Sequence, residues 1–208
     1  MAATTRFRIA SGLVTFAKWL VHAGLVSRDP REGVTLPRVA RKLPDNVLTV
    51  REMTRLLSAP RLDDPVELRN RALMELLYAT GLRQTEALDL KVEDVDLGEG
   101  EVLVRRGKGG KGRIVPLCRE SRGVLAAYLA EVRPKLVAAR DSGYFFVSKR
   151  GRRVDASHAM KMFKRYAASS GIKRPVGFHT FRHSVATHLM QRGGPGSATS
   201  RSFSGTRP

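Results

Sequence analysis

The sequence predicts a mainly helical protein with a small antiparallel β-sheet, and three observations carry that prediction. Apolar residues recur at three- and four-residue spacing over several segments, the pattern of a helix with one buried stripe. Helix-start and helix-stop signals bracket those segments: Thr49 with Glu52, Asp64-Pro65, and Gly81. A glycine-rich turn, 107–112, separates two short runs that read as the strands of a hairpin.

Taken in order, the first region, residues 1–36, places Phe7, Leu13, Val14, Phe16, Trp19 and Leu20 at roughly helical spacing around Lys18 and His22. A packed amphipathic helix is expected there. No acid precedes Asp29, and Arg-, Ser- and Thr-rich composition of this kind also marks organellar transit peptides. The periodicity favours the helix, read as part of a helical domain that Asp29-Pro30 brings to an end. The basic, proline-bounded stretch 37–47 then reads as a linker.

A compact domain follows over residues 48–192. Thr49 and Glu52 form a capping box for a short helix ending near Ala59. Asp64-Pro65 starts a longer helix with Leu68, Ala72, Leu73, Leu76 and Leu77 on one face, closed by Gly81. Another helix begins near Arg83, and residues 101–106 and 113–118 form the hairpin strands. Helices near 120–139, 157–170 and 180–191 complete the domain, with an extra strand at Tyr144–Val147. The last segment, 193–208, holds Phe203 as its one large apolar residue and is expected to be a disordered tail.

Composition narrows the function. The 208 residues carry 38 Lys and Arg against 19 Asp and Glu, a net charge of +19. Such a chain neutralises an acidic partner, most often nucleic acid phosphate; anionic membrane and ribosomal RNA are the alternatives. One cysteine, Cys118, leaves no disulfide framework and no cysteine-rich zinc site, which fits a reducing cytoplasm. No stretch approaches the roughly 18 consecutive apolar residues of a membrane span.

Four basic residues sit where local structure would hold them. Arg83 follows Gly81 at a helix start, Lys108 lies at the hairpin tip, and His179 and Arg182 form His-x-x-Arg at a helix opening. Two arginines, a lysine and a histidine suit phosphoryl transfer at a diester without a metal or other cofactor. Guanidinium groups grip the non-bridging oxygens, and lysine and histidine move protons. Taken singly, either arginine reads more readily as a solvated surface charge. The Gly107–Gly112 turn lacks a Gly-Lys-Ser/Thr ending, which argues against a nucleotide P-loop. His179, His183 and His188 invite a metal reading, but no acid or cysteine stands nearby and Arg182 would oppose a cation.

Three strings carry a family resemblance: Leu76-Leu77-Tyr78-Ala79-Thr80-Gly81-Leu82-Arg83; Arg106-Gly107-Lys108-Gly109-Gly110-Lys111 with Arg113-Ile114-Val115-Pro116-Leu117; and His179-Thr180-Phe181-Arg182-His183-Ser184. In order and in register, they resemble the tyrosine recombinases (phage integrases), of the Xer-like kind, over roughly residues 8–192. The resemblance implies a recombinase catalytic domain preceded by part of a helical core-binding domain. It implies site-specific recombination of double-stranded DNA by strand cleavage and rejoining, without ATP or metal, in a homo- or hetero-tetramer. By it, Arg83 and Arg182 clamp the scissile phosphate, Lys108 protonates the leaving 5′ oxygen, and His179 acts as acid or base. Glu86 matches an acid that supports the first arginine. Lys111, Arg113, Lys161, Lys164 and Arg165 are expected to meet the DNA backbone. Type IB topoisomerases use similar phosphate-binding groups, but the motif wording favours a recombinase.

After Arg182 the family pattern continues with Leu-Leu-Gly-His and then the nucleophilic tyrosine, whereas the match here stops at Gln191-Arg192-Gly193. Tyr78, Tyr128 and Tyr166 lie at apolar helical positions and Tyr144 in the extra strand, so none is expected to be the nucleophile. The chain is therefore expected to bind DNA without cleaving it; a module that occupies recombination sites is the companion reading. If Arg201–Thr206 are encoded AGG-AGC-TTC-TCG-GGC-ACN, reading from each third base gives Glu-Leu-Leu-Gly-His. A frameshift near codon 193 is thus expected to have produced the tail, with a genuine flexible tail as the alternative. Sequencing the locus tests it: the other frame should encode a tyrosine within a short helix's length, and its absence there overturns the frameshift.

Overall fold

The computed structural model describes residues 3–26, 28–35, 46–105, 112–137 and 141–193. Backbone contacts divide the chain into two units, one up to residue 45 and one from Asn46 onward.

The first unit is built on α1 (Ala3–His22). The helix forms as the periodicity predicts, but the expected packing is not seen among the described residues. Leu13, Phe16 and Trp19 are all more than half exposed, and Phe16 and Trp19 stack on each other at 5.8 Å.

The second unit contains α2 (Val50–Leu57), α3 (Pro65–Thr80), α4 (Gln84–Asp89), β1 (Val95–Asp96), β2 (Glu101–Val104), β3 (Arg113–Pro116), α5 (Arg119–Ala127), α6 (Arg133–Val137), α7 (Ala156–Ser169) and α8 (Phe178–Gly193). It starts two residues before the expected boundary because Asn46 Nδ2 donates to the Pro175 carbonyl at 2.6 Å and to Thr180 Oγ1 at 3.0 Å. The Leu48 amide is likewise held by Ser184 Oγ at 2.9 Å.

Local chemistry sets the helix starts. Thr49 Oγ1 accepts from the Glu52 amide while Glu52 Oε2 accepts from the Thr49 amide, a reciprocal cap for α2. Asp64 accepts from the Val66 amide ahead of Pro65, whose missing N–H costs nothing in a first turn. α3 is the central element: Leu73, Met74, Leu76 and Leu77 are all buried, and both α8 and α5 pack on it. α8 turns Phe178, Phe181, Ser184, Val185 and His188 inward, three or four residues apart, and leaves His179 and His183 in solvent.

The sheet runs β1-β2-β3, antiparallel throughout, with Val102 opposite Val115 and Val104 opposite Arg113. It differs from expectation in two places. Val95–Asp96 is a third, very short strand. Tyr144–Val147 is not a strand but two isolated bridges, Lys91 to Tyr144 and Val147 to Arg153. Its neighbours cannot extend the pairing: Lys91 leads at once into a 3₁₀ turn, and Ser148–Arg152 folds back on itself. The helix expected at 120–139 is interrupted by a π-helical stretch, Tyr128–Val132, between α5 and α6.

Most buried polar groups are paired, Asn46 Oδ1 and Arg174 Nε being exceptions among the described residues. Arg69 is 2% exposed and donates to Asn70 Oδ1 and the Val147 carbonyl at 3.1 Å. Tyr128 is fully buried, donates to the Phe145 carbonyl at 2.9 Å, and has its hydroxyl pushed up to about 12 by burial.

The join between α3 and α4 depends on one backbone conformation. Gly81 closes α3 at φ +59°, its amide donating to the Leu77 carbonyl at 2.9 Å. Gly81→Ala should therefore lower unfolding free energy by about 1–2 kcal/mol through left-handed backbone strain. Chemical denaturation checks this, and an unchanged midpoint would contradict it.

Candidate active site

The turn Gly81-Leu82-Arg83 organises the site. Leu82 is buried at 1% exposure and anchors the turn, while Arg83 sits at the N-cap of α4 with 43% of its side chain exposed. From α8, Arg182 Nη1 donates to the Gly81 carbonyl at 2.6 Å. One arginine thus grows out of the turn and the other reaches onto it from a different helix. His179 lies three residues before Arg182 on α8, exposed, with its ring 6.3 Å from that of His183.

Behind Arg83 is a buried carboxylate. Glu86 has a 4% exposed side chain and accepts four hydrogen bonds. The Arg83 amide reaches Oε2 at 2.8 Å, Arg83 Nη1 reaches Oε1 at 3.0 Å, and Arg113 binds both oxygens, Nη1 to Oε1 at 3.0 Å and Nη2 to Oε2 at 2.8 Å. The Arg113 guanidinium, then the Arg83 amide and side chain, hold this carboxyl at about 2 against the opposing effect of burial.

Arg113, expected on the DNA backbone, is thus engaged with Glu86, an arrangement not foreseen from the sequence. The signal for it lies in strand pairing. Arg113 stands opposite Val104, and cross-strand partners share a face, so the buried Val104 places Arg113 on the inward side, where a charge needs a partner. Lys108 and Lys111 lie outside the described residues. Lys161, Lys164 and Arg165 are exposed on α7, away from this turn in sequence. Lys161 and Lys164 line an open groove of about 870 Å³, whereas Arg165 pairs with Glu67 and donates to Tyr166 Oη at 2.7 Å.

The remaining histidine and the tyrosines belong to other networks. His188 is 6% exposed; its Nε2 donates to the Leu48 carbonyl at 2.9 Å, so Nδ1 accepts from Tyr78 Oη at 3.0 Å. It does not share the solvent face of His179 and His183, and no metal-binding cluster of three or more His, Cys, Asp or Glu exists among the described residues. Tyr166 Oη donates to Glu67 Oε2 at 2.7 Å and accepts from Asn70 Nδ2 at 2.8 Å; burial pushes it up to about 12. Lys91 Nζ lies 3.2 Å from the centre of the Tyr144 ring. Among the described residues no helix is long and apolar enough to cross a membrane.

The second unit is mainly helical and sets Arg182 on the carbonyl of the turn from which Arg83 grows, and comparison with known proteins identifies its family. The Phage integrase family profile matches residues 46–200, and the chain belongs to this family of tyrosine recombinases. It is 40% identical over 186 residues to tyrosine recombinase XerD of Pseudomonas aeruginosa, covering 89% of this chain and 62% of that one. The crystal structure of XerA recombinase superposes with a TM-score of 0.64 at 32% identity, covering 87% of this chain and 61% of that one. The post-cleavage complex of XerH site-specific recombinase bound to palindromic difH substrate gives a TM-score of 0.63 at 29% identity, covering 77% and 46%. The chain therefore spans about three fifths of the length of the curated relatives it matches.

The depressed Glu86 carboxyl has a pH consequence of definite sign. Its folded value of about 2 lies below the ordinary 4.5, so its stabilisation is complete above about pH 4.5 and is lost as pH falls toward 2. Compared with Glu86→Gln, the native chain should lose about 3 kcal/mol more stability across that window. Denaturant titrations at pH 7, 4 and 3 read the difference; parallel losses in the two proteins would contradict it.

Proposed function

We propose that this chain binds duplex DNA and grips one backbone phosphate between Arg83 and Arg182, the arrangement that strand exchange in its family requires. The observation that carries the reading is the Arg182 contact with Gly81 at 2.6 Å, which brings the Arg182 guanidinium onto the turn from which Arg83 grows two residues later. Guanidinium donors aimed at non-bridging oxygens match the charge that develops as an attacking oxygen adds to phosphorus. His179, exposed one helical turn from Arg182, is placed in this reading to move a proton, and Lys108 to protonate the departing 5′ oxygen. Lys111, Lys161, Lys164 and Arg165 add backbone contacts, and binding to paired sites proceeds through a homo- or hetero-tetramer.

In the same reading these 208 residues hold DNA without cutting it. Support comes from the four tyrosines. Tyr78 bonds His188 and Tyr128 is fully buried, while Tyr166 is tied to Glu67 and Tyr144 lies under Lys91. Tyr128 and Tyr166 are buried, so their attack on phosphorus would require dismantling part of the core, while Tyr78 and Tyr144 are half-buried and engaged with His188 and Lys91. A module that occupies recombination sites without cleaving them accords with the same observation.

A suicide duplex, nicked so that cleavage releases a short strand, separates binding from chemistry. Retention should fall by roughly 10³–10⁵ between 50 and 200 mM salt if six to ten phosphates are contacted. No covalent protein–DNA band should form. A covalent band would overturn the non-cleaving reading, and salt-insensitive retention would overturn phosphate-driven binding. Arg83→Ala and Arg182→Ala should each weaken binding and lower the salt slope by about 1; variants that bind as the native chain does would remove the two arginines from the interface.

A further inference from the structure

Glu86 presents an electrostatic problem that the phosphate site must solve. Its carboxylate is 4% exposed and touches Arg83, the residue read above as a phosphate ligand. A buried carboxylate with one cationic neighbour takes as many of its donors as geometry allows, because an uncompensated buried charge is costly. Each donor given to Glu86 is one withdrawn from DNA.

The hydrogen bonds show how the conflict is avoided. A carboxylate offers about four acceptor positions. Arg113 fills two with a parallel fork, and the Arg83 amide fills a third. Only Nη1 of the Arg83 side chain is bonded to Glu86, at 3.0 Å, and that side chain remains 43% exposed. Arg113 can fill this place because its register opposite Val104 turns it inward from β3.

We infer that Arg113 is a positioning residue: by holding both oxygens of Glu86, it keeps that carboxylate from claiming Arg83 and leaves the Arg83 guanidinium available to a DNA phosphate. The Arg113 fork also ties β3 to the start of α4. The two-arginine, one-carboxylate group keeps a net positive charge toward the DNA. Without Arg113 the remaining pair is neutral, and the fork of Arg83 is free to close on Glu86. That Glu86 lies at about 2, with Arg113 as the largest cause, agrees with Arg113 being its main partner. The inference rests on the reading of Arg83 as a phosphate ligand.

The test is a double-mutant cycle on binding to a fluorescein-labelled random-sequence DNA duplex at low salt, with near-UV circular dichroism confirming the fold of each variant. Arg113→Ala should weaken binding about tenfold, the loss of one charge-assisted contact. Glu86→Gln should weaken binding in the native background, where it removes a support of Arg83, but strengthen it in the Arg113→Ala background and restore most of that loss. A direct Arg113–phosphate contact, or a general charge effect, predicts the same Glu86→Gln increment in both backgrounds, and that result overturns the inference. Arg113→Gln carries the cycle if the alanine variant loses its fold. Arg83→Ala distinguishes the two levels: if it binds like the native chain, the phosphate-site reading fails. If it binds weakly and no background-specific rescue appears, only the role of Arg113 fails.

Discussion

The candidate site depends on a charge held out of water. A carboxylate buried as deeply as Glu86 is tolerated only when its oxygens are filled by strong donors, and here two arginines from different elements supply them. That requirement fixes Arg83 at the start of α4 and draws Arg113 inward from β3. It thereby sets the hairpin against the helix. The Arg182 contact on the Gly81 carbonyl adds α8 to the same junction. Three segments far apart in sequence are locked around one turn, and the basic groups they carry are placed relative to one another by that lock.

The rest of the fold can be sorted by what its polar atoms are used for. Arg69, Tyr128, Tyr166 and His188 have their donors and acceptors consumed inside the unit, and each bridges elements that apolar packing alone would not register. Arg83, Arg182 and His179 differ. They are rooted by backbone or neighbouring contacts but still reach solvent. An arginine that is both anchored and partly unspent is poised to receive an anion, whereas one with every donor internal serves the structure. This contrast separates Arg83 from Arg69 more sharply than charge does.

What could be read from the sequence follows the range of the interactions concerned. The Thr49–Glu52 cap, the Asp64-Pro65 start and the Gly81 stop act within a few residues, and all three stand where the pattern puts them. The hairpin strands were likewise legible, since alternation and glycine placement are local. The strand expected at Tyr144–Val147 failed because its apolar run is buried by packing around Tyr128, with no long partner to pair with. The short strand β1 and the π-helical stretch depend on tertiary packing, which no local pattern encodes, whereas the inward turn of Arg113 follows from the hairpin register opposite Val104. His188 grouped with two solvent-facing histidines by spacing along the chain, yet the helix carries it round to the core. Arg83, Glu86, His179 and Arg182 stand in ordered motifs, not in any periodicity, and the structure joins Arg83 to Glu86 and Arg182 to the Gly81 carbonyl.

The central claim is that duplex DNA seats one phosphate at the turn between Arg83 and Arg182. The most direct measurement is a crystal structure of this chain with a short DNA duplex. Non-bridging oxygens of a single phosphate should lie within hydrogen-bond distance of both guanidiniums, with Glu86 still forked by Arg113 and His179 facing the same phosphate. A duplex seated instead on the lysine face of α7, with Arg83 and Arg182 unoccupied, would contradict the account.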